Sequence, residues 1–192
     1  MQHTTGNKSC NSNIILGIVA LAVATRVMTP ALLGHPSNFA PVGAIALFSG
    51  AYLGKRALSF IVPIVSVIVG DLLLNTLYYG GIELLYPGWY WQYVSYIAIV
   101  GVGLLLRDRV KVSSVGAASI SSSVLFFLVT NFGVWLSMDM YPHTPAGLAL
   151  CYTAALPFFG GTLVGDLFFS ALMFGSVKFA RRRSLGLVHS AS

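Results

Sequence analysis

The chain has 192 residues, of which 56% are hydrophobic and only 8% charged, with a net charge of +6 and a mean hydropathy of +0.81. A soluble domain carries roughly a quarter charged residues, so this chain has too little polar surface to cover a water-facing globule. It is also too short to hold a soluble catalytic domain beside a membrane bundle. The excess of positive charge does not imply nucleic acid, because the basic residues flank apolar runs and form no separate basic domain.

A polar tail, residues 1–12, comes first. The apolar run Asn13–Thr29 follows without a small-residue cleavage site, so it reads as a retained span and not a signal peptide. Further spans are predicted over Phe39–Leu53, Ala57–Tyr79, Tyr90–Leu106, Val115–Met138 and Pro157–Phe179, with residues 184–192 as a C-terminal tail. About 20 helical residues cross a hydrocarbon core. The 39–53 run is short and Gly-rich, and Pro36 stands just before it. Residues Ala146–Ala155 are apolar but too short to cross, and they end at Pro157, which predicts a separate half-helix on the outer face.

The basic residues set the topology. Lys8, Lys55-Arg56, Arg107/Arg109/Lys111 and Lys178/Arg181-Arg182-Arg183 cluster at alternate connections, whereas the connections near 30–41, 80–91 and 139–145 hold no Lys or Arg. Cytoplasmic loops are enriched in Lys and Arg. The expected fold is therefore an all-α, six-helix transmembrane bundle with both termini cytoplasmic, forming one domain over 13–183.

Arg26 alone breaks the alternation, lying within the first span near its outer end. A charge within the membrane is expensive and marks a functional candidate. On the same side lie His35, Asn38 and Phe39 in the first outer loop, and Asp71 and Asn75 one turn apart on the third span with Tyr78 beyond. Asn131 and Trp135 are one turn apart on the fifth span, and Asp139, Tyr141 and His143 follow in the outer loop; the loop before the fourth span adds Glu83, Trp89 and Trp91. The substrate-binding candidates are Arg26, His35, Asn38, Phe39, Asp71, Asn75, Asn131, Trp135, Asp139 and His143, with an aromatic wall from Phe39 and Trp135. Two structural alternatives stand beside this. Arg26 pairs with Asp71 to fix helix packing, and the tryptophans form an interfacial belt.

Enzyme signatures are missing. The Gly160-Gly161-Thr162-Leu163-Val164-Gly165-Asp166 run lacks the lysine of a phosphate-binding loop, and no G-x-S-x-G elbow or His-Glu-x-x-His helix occurs. Cys10 and Cys151 are far apart, and His35 and His143 have no carboxylate cluster, so no metal or other cofactor is expected. An internal echo relates Ile68-Val69-Gly70-Asp71-Leu72 to Leu163-Val164-Gly165-Asp166-Leu167. It reads either as an inverted three-plus-three repeat of a secondary transporter or as coincidence in an apolar alphabet. Gly17, Ala20 and Ala24 form a small-residue face on the first span that suits close helix contact, within the bundle or with a partner.

The run from Asn38-Phe39-Ala40-Pro41 through Ala44, Ala46-Leu47-Phe48 and Gly50 resembles the N-F-x-P-x-x-A-x-A-L-F-x-G signature of an uncharacterised bacterial integral-membrane family. Thr130-Asn131-Phe132-Gly133-Val134-Trp135 and Tyr141-Pro142-x-Thr144-x-x-Gly147-Leu148 resemble its second signature. A wider similarity is to the S components of energy-coupling-factor (ECF) transporters, small six-span proteins that capture micronutrients from outside. That resemblance implies no enzymatic activity but a small-molecule ligand, held by outer-half residues and loops. It also implies a transmembrane coupling subunit with ATPases as partners, docked through an Ala-x-x-x-Ala element matched by Ala20 and Ala24. A stand-alone secondary transporter, or a membrane assembly protein without a small ligand, is the alternative expectation.

Overall fold

The structure is a computed structural model, and it describes residues 17, 20–21, 24–28, 38–53, 57–79, 87–107 and 109–189. The tail 1–12, His35, Glu83 and the Lys8 and Lys55-Arg56 clusters lie outside the described residues. Every regular element among the described residues is helical. The labelled helices are α1 (Val42–Leu53), α2 (Ala57–Leu74, passing into a π-helical turn at Asn75–Tyr79), α3 (Trp89–Leu106), α4 (Val112–Ser137) and α5 (Pro145–His189). The described positions between 17 and 28 are helical as well.

Four helices among the described residues are long and apolar enough to cross a membrane: Ala57–Tyr78, Trp89–Leu106, Val112–Ser137 and Pro145–Phe179. Their outward faces carry large apolar side chains such as Leu77, Leu105, Val112, Val164 and Phe168, the surface a lipid solvent requires. The chain is accordingly a membrane protein by the length and composition of its helices.

The stretch predicted as the second span is different. Only Val42–Leu53 is helical, 12 residues, or about 18 Å at 1.5 Å per residue, which falls well short of a core about 30 Å thick. It is the most buried element of the described structure. All residues from Val42 to Ala51 are buried, and α1 touches α2, α3, α4 and α5. Residues 38–40 are non-helical and run along α5. A Cβ at Gly165 would fall 3.2 Å from Ala40 N, and one at Gly161 would fall 3.5 Å from Phe39 N. The glycines read as an incomplete phosphate loop are thus a track for backbone. Non-helical backbone at membrane depth survives only where protein covers it.

The N-terminus of α1 therefore opens inside the bundle, where no water can satisfy its first N–H groups. Asp166 supplies the acceptor. Its carboxylate receives the Ala44 N–H and the Ser123 hydroxyl at 2.7 Å, and Asp166 is 3% exposed. Gly43 makes room for it, because a Cβ there would fall 2.8 Å from Asp166 Cγ. One carboxylate thereby joins α1, α4 and α5.

Two expectations change. The half-helix over Ala146–Ala155 does not exist as a separate piece: α5 is one helix of 45 residues with Pro157 inside it. Packing holds its first turns against α4, where the Tyr152 hydroxyl donates to Leu128 O at 2.7 Å and Phe127 contacts both Tyr152 and Phe159. The missing proline N–H is tolerated because neighbouring groups support such helices in membranes. The region assigned to a C-terminal tail remains helical through His189.

At the far end of α1, Gly50 meets Gly103 of α3 backbone to backbone. A Cβ at Gly50 would fall 2.9 Å from Gly103 Cα, and one at Gly103 would fall 3.0 Å from Gly50 Cα. Overpacking of a core costs about 1–3 kcal/mol. Gly50→Ala is expected to destabilise the protein by about that amount, read as a lower melting temperature in detergent, whereas Gly116→Ala, with open space around it, should leave melting unchanged.

Candidate functional site

Arg26 and Asp71 form an ion pair between the N-terminal helical segment and α2. Their side chains are only 21% and 14% exposed, so the charges must neutralise each other. Gly70 admits the arginine stem: a Cβ there would fall 2.6 Å from Arg26 Cδ. The second carboxylate oxygen of Asp71 accepts from Gln92 Nε2 of α3 at 3.3 Å. Arg26 Nε is buried without a hydrogen-bond partner among the described residues. The Tyr78 hydroxyl, in the π-helical turn that Asn75 begins, donates to Val27 O at 2.9 Å and ties this end of α2 to the same segment.

Gln92 also lines a cavity of about 200 Å³. Its walls come from Asn38 ahead of α1, from Pro87, Gly88, Trp91 and Gln92 at the start of α3, and from Phe126, Thr130, Val134 and Met138 along one face of α4. Gly88 enters α3 at φ 82°, a backbone conformation natural to glycine. Trp91 is held on two sides. Its indole N–H donates to Ser137 Oγ at 3.0 Å, and its side chain lies against Gly133, where a Cβ would fall 2.6 Å from Trp91 Cβ. The result is a rigid aromatic wall beside three polar groups: the amides of Asn38 and Gln92 and the Thr130 hydroxyl. Such a set can orient a small polar molecule by hydrogen bonds, with the Arg26–Asp71 pair directly behind it. Among the described residues no group of three or more His, Cys, Asp or Glu side chains could hold a metal ion.

The predicted site residues separate into two groups. Asn38 lines the cavity, and Asp71 and Arg26 reach it through Gln92. His35 lies outside the described residues, Asn75 begins the π-helical turn of α2, and the other five lie in other parts of the structure. Phe39 packs on Phe168 and Phe169 of α5, with ring centroids 6.1 and 5.3 Å away. Asn131 turns its amide back to Phe127 O at 2.8 Å, and its carbonyl accepts the Cys151 thiol. Trp135 donates to Pro142 O at 2.9 Å and meets the His143 ring edge-on at 5.6 Å, and Asp139 and His143 are exposed in the same loop. The aromatic wall of the cavity is Trp91, not Phe39 with Trp135. The reason is helical rotation: α4 presents the 126/130/134/138 row to the cavity and the adjacent 127/131/135 row to α5. Gln92 went unremarked in the sequence, although a lone amide in the 90–106 span is a signal of its own, and Thr130 stood out only within the 130–135 run.

The Gly17, Ala20 and Ala24 face is exposed, and a Cβ at Gly17 would meet nothing within 4 Å. Leu21, beside that face on the segment, packs on the core, while the three small residues themselves stay exposed.

The profile of a family described as "Family of unknown function (DUF6580)" matches residues 7–188. The chain belongs to that family. Neither a curated protein nor a solved structure matches it. In this DUF6580 protein the 38–50 run has clear structural work: Pro41 accepts the Ile45 N–H at 2.8 Å to start α1, Gly43 faces Asp166, and Gly50 permits the α1–α3 crossing.

Removing one partner of a buried ion pair costs about 3–5 kcal/mol. Arg26→Ala is expected to lower stability by that order, and adding Asp71→Asn should recover a large part of it by removing the unpaired charge. Thermal melting of the single and double variants measures this; a double variant no more stable than Arg26→Ala would contradict the pairing.

Proposed function

We propose that this DUF6580 protein is the capture subunit of a membrane uptake system of the ECF type, binding a small polar, micronutrient-like molecule in the cavity between Asn38, Gln92 and Thr130. The observation that carries this reading is the half-buried Arg26–Asp71–Gln92 chain ending at a cavity wall. Placing three such polar groups side by side in an apolar bundle is costly without a use. The volume of about 200 Å³ lies below the usual range of about 300–1,000 Å³ for drug-sized ligands, so the ligand is compact. Arg26 stands behind the wall, and the groups that line the cavity, the Asn38 and Gln92 amides and the Thr130 hydroxyl, suit a strongly hydrogen-bonding ligand. In this reading the extended residues 38–40 and α1 together make the second of six crossings of the bacterial cytoplasmic membrane, both termini lie inside, the cavity faces outward, and the exposed Gly17/Ala20/Ala24 face docks a transmembrane coupling subunit that works with ATPases.

A stand-alone carrier built on an inverted repeat is the second reading. It is favoured by the way Gly70-Asp71 and Gly165-Asp166 each pair a cleared glycine with a carboxylate that binds whatever crosses there. The unequal helices weigh against it, since α2 has 18 residues and α5 has 45.

Native mass spectrometry of the purified full chain tests the capture reading. A retained small molecule is expected in the wild type, lost in Gln92→Ala and Thr130→Val while melting stays close to wild type. Gradient-driven uptake by the chain alone in proteoliposomes would favour the carrier instead. Copurification of a protein partner with no retained ligand would favour an assembly role.

A further inference from the structure

A second cavity, larger than the first, stands at the other end of α4 and has no part in the capture site. It holds about 610 Å³ between the start of α4 and the second half of α5, with Tyr52 of α1 at its back. Its walls are mainly apolar, from Val112, Val115, Leu167 and Phe174, and none of its lining residues is acidic. Lys111 and Lys178 line it from the two facing helices, and both lysines are exposed. Deeper in the groove Ser119 and Ser170, one from each helix, also line it. Each is 1% exposed, and neither hydroxyl has a hydrogen-bond partner.

These features constrain what fills the groove. A buried hydroxyl without a partner costs free energy, and a purely hydrocarbon occupant would leave both unpaired. The two ammonium groups at the mouth call for an anion. Ser119 lies eight residues beyond Lys111, and Ser170 lies eight before Lys178, about 12 Å along each helix; the lysine side chains, which line the groove themselves, cover part of that distance. The occupant therefore carries an anion at the mouth, acceptors deeper in, and apolar chains against Phe174 and Leu167. We infer that the groove between α4 and α5 is a binding site for an anionic glycerophospholipid of the surrounding bilayer, its phosphate between Lys111 and Lys178 and its ester carbonyls accepting from Ser119 and Ser170. Basic pockets between transmembrane helices are a known setting for anionic headgroups. The groove lies at the Lys/Arg-rich end of the bundle, so the bound lipid belongs to the leaflet on that side.

The test uses the full chain in detergent with phosphatidylglycerol or phosphatidylcholine of identical acyl chains, the bound lipid being counted by native mass spectrometry. The wild type is expected to retain one phosphatidylglycerol well above phosphatidylcholine. Lys111→Gln and Lys178→Gln should each weaken that retention roughly fivefold, and together roughly thirtyfold, with unchanged melting in lipid-free detergent. Ser119→Ala with Ser170→Ala keeps the lysines. It should weaken ester-linked phosphatidylglycerol but leave an ether-linked analogue, which lacks the carbonyls, unaffected. Equal retention of the two headgroups, or phosphatidylglycerol held by the double lysine variant as tightly as by wild type, would overturn the assignment. So would displacement of the lipid by millimolar inorganic phosphate, which would make the groove a site for a soluble anion.

Discussion

A carboxylate at the centre of the bundle organises this protein. Because α1 begins inside the bundle, its first amide groups have neither water nor a preceding helical turn to satisfy them. Asp166, reaching from α5, accepts the Ala44 N–H and the Ser123 hydroxyl together. A helix cap is worth about 0.5–2 kcal/mol at an ordinary site, and the penalty for leaving such groups unpaired grows where water is absent. The remaining architecture follows from that placement. The extended residues 38–40 lie along the Gly161 and Gly165 track, α1 is surrounded by the other helices, and Asn38 is delivered to the edge of the cavity.

The same local device serves at a second, half-buried carboxylate. At Gly70-Asp71 the glycine clears space for the stem of Arg26 and the aspartate binds its guanidinium. At Gly165-Asp166 the glycine clears space for backbone and the aspartate binds a helix terminus. The internal echo thus has a physical meaning whichever way its origin is read: two adjacent residues admit a crossing segment and then hold it. The difference between the two lies in what remains free. Asp166 is enclosed, whereas Asp71 passes on through Gln92 to a cavity, which is why the candidate site belongs at that end.

Much of the framework was legible in the chain. Three of the four long helices end within three residues of the apolar runs that predicted them, because hydrophobic length is a strong constraint in lipid. The Arg26–Asp71 pair was foreseeable from the cost of an isolated charge. The cap by Asp166 was not, since it joins residues distant in sequence and its glycine-aspartate motif has no specific look. The continuity of α5 was hidden by Pro157, which in water would argue for a break, and the facing row of α4 was hidden because Thr130 and Asn131 are both polar and adjacent. Only packing against α3 and α5 decides which of those two meets the cavity.

Hydrogen exchange across Val42–Ala51, compared between the wild type and Asp166→Ala in the same detergent, tests the central role of this carboxylate most directly. The account predicts that amides in the first turn of α1, Ala44 foremost, lose protection in the variant while the middle of α3 keeps its own. Wild-type protection throughout Val42–Ala51 in Asp166→Ala would contradict it.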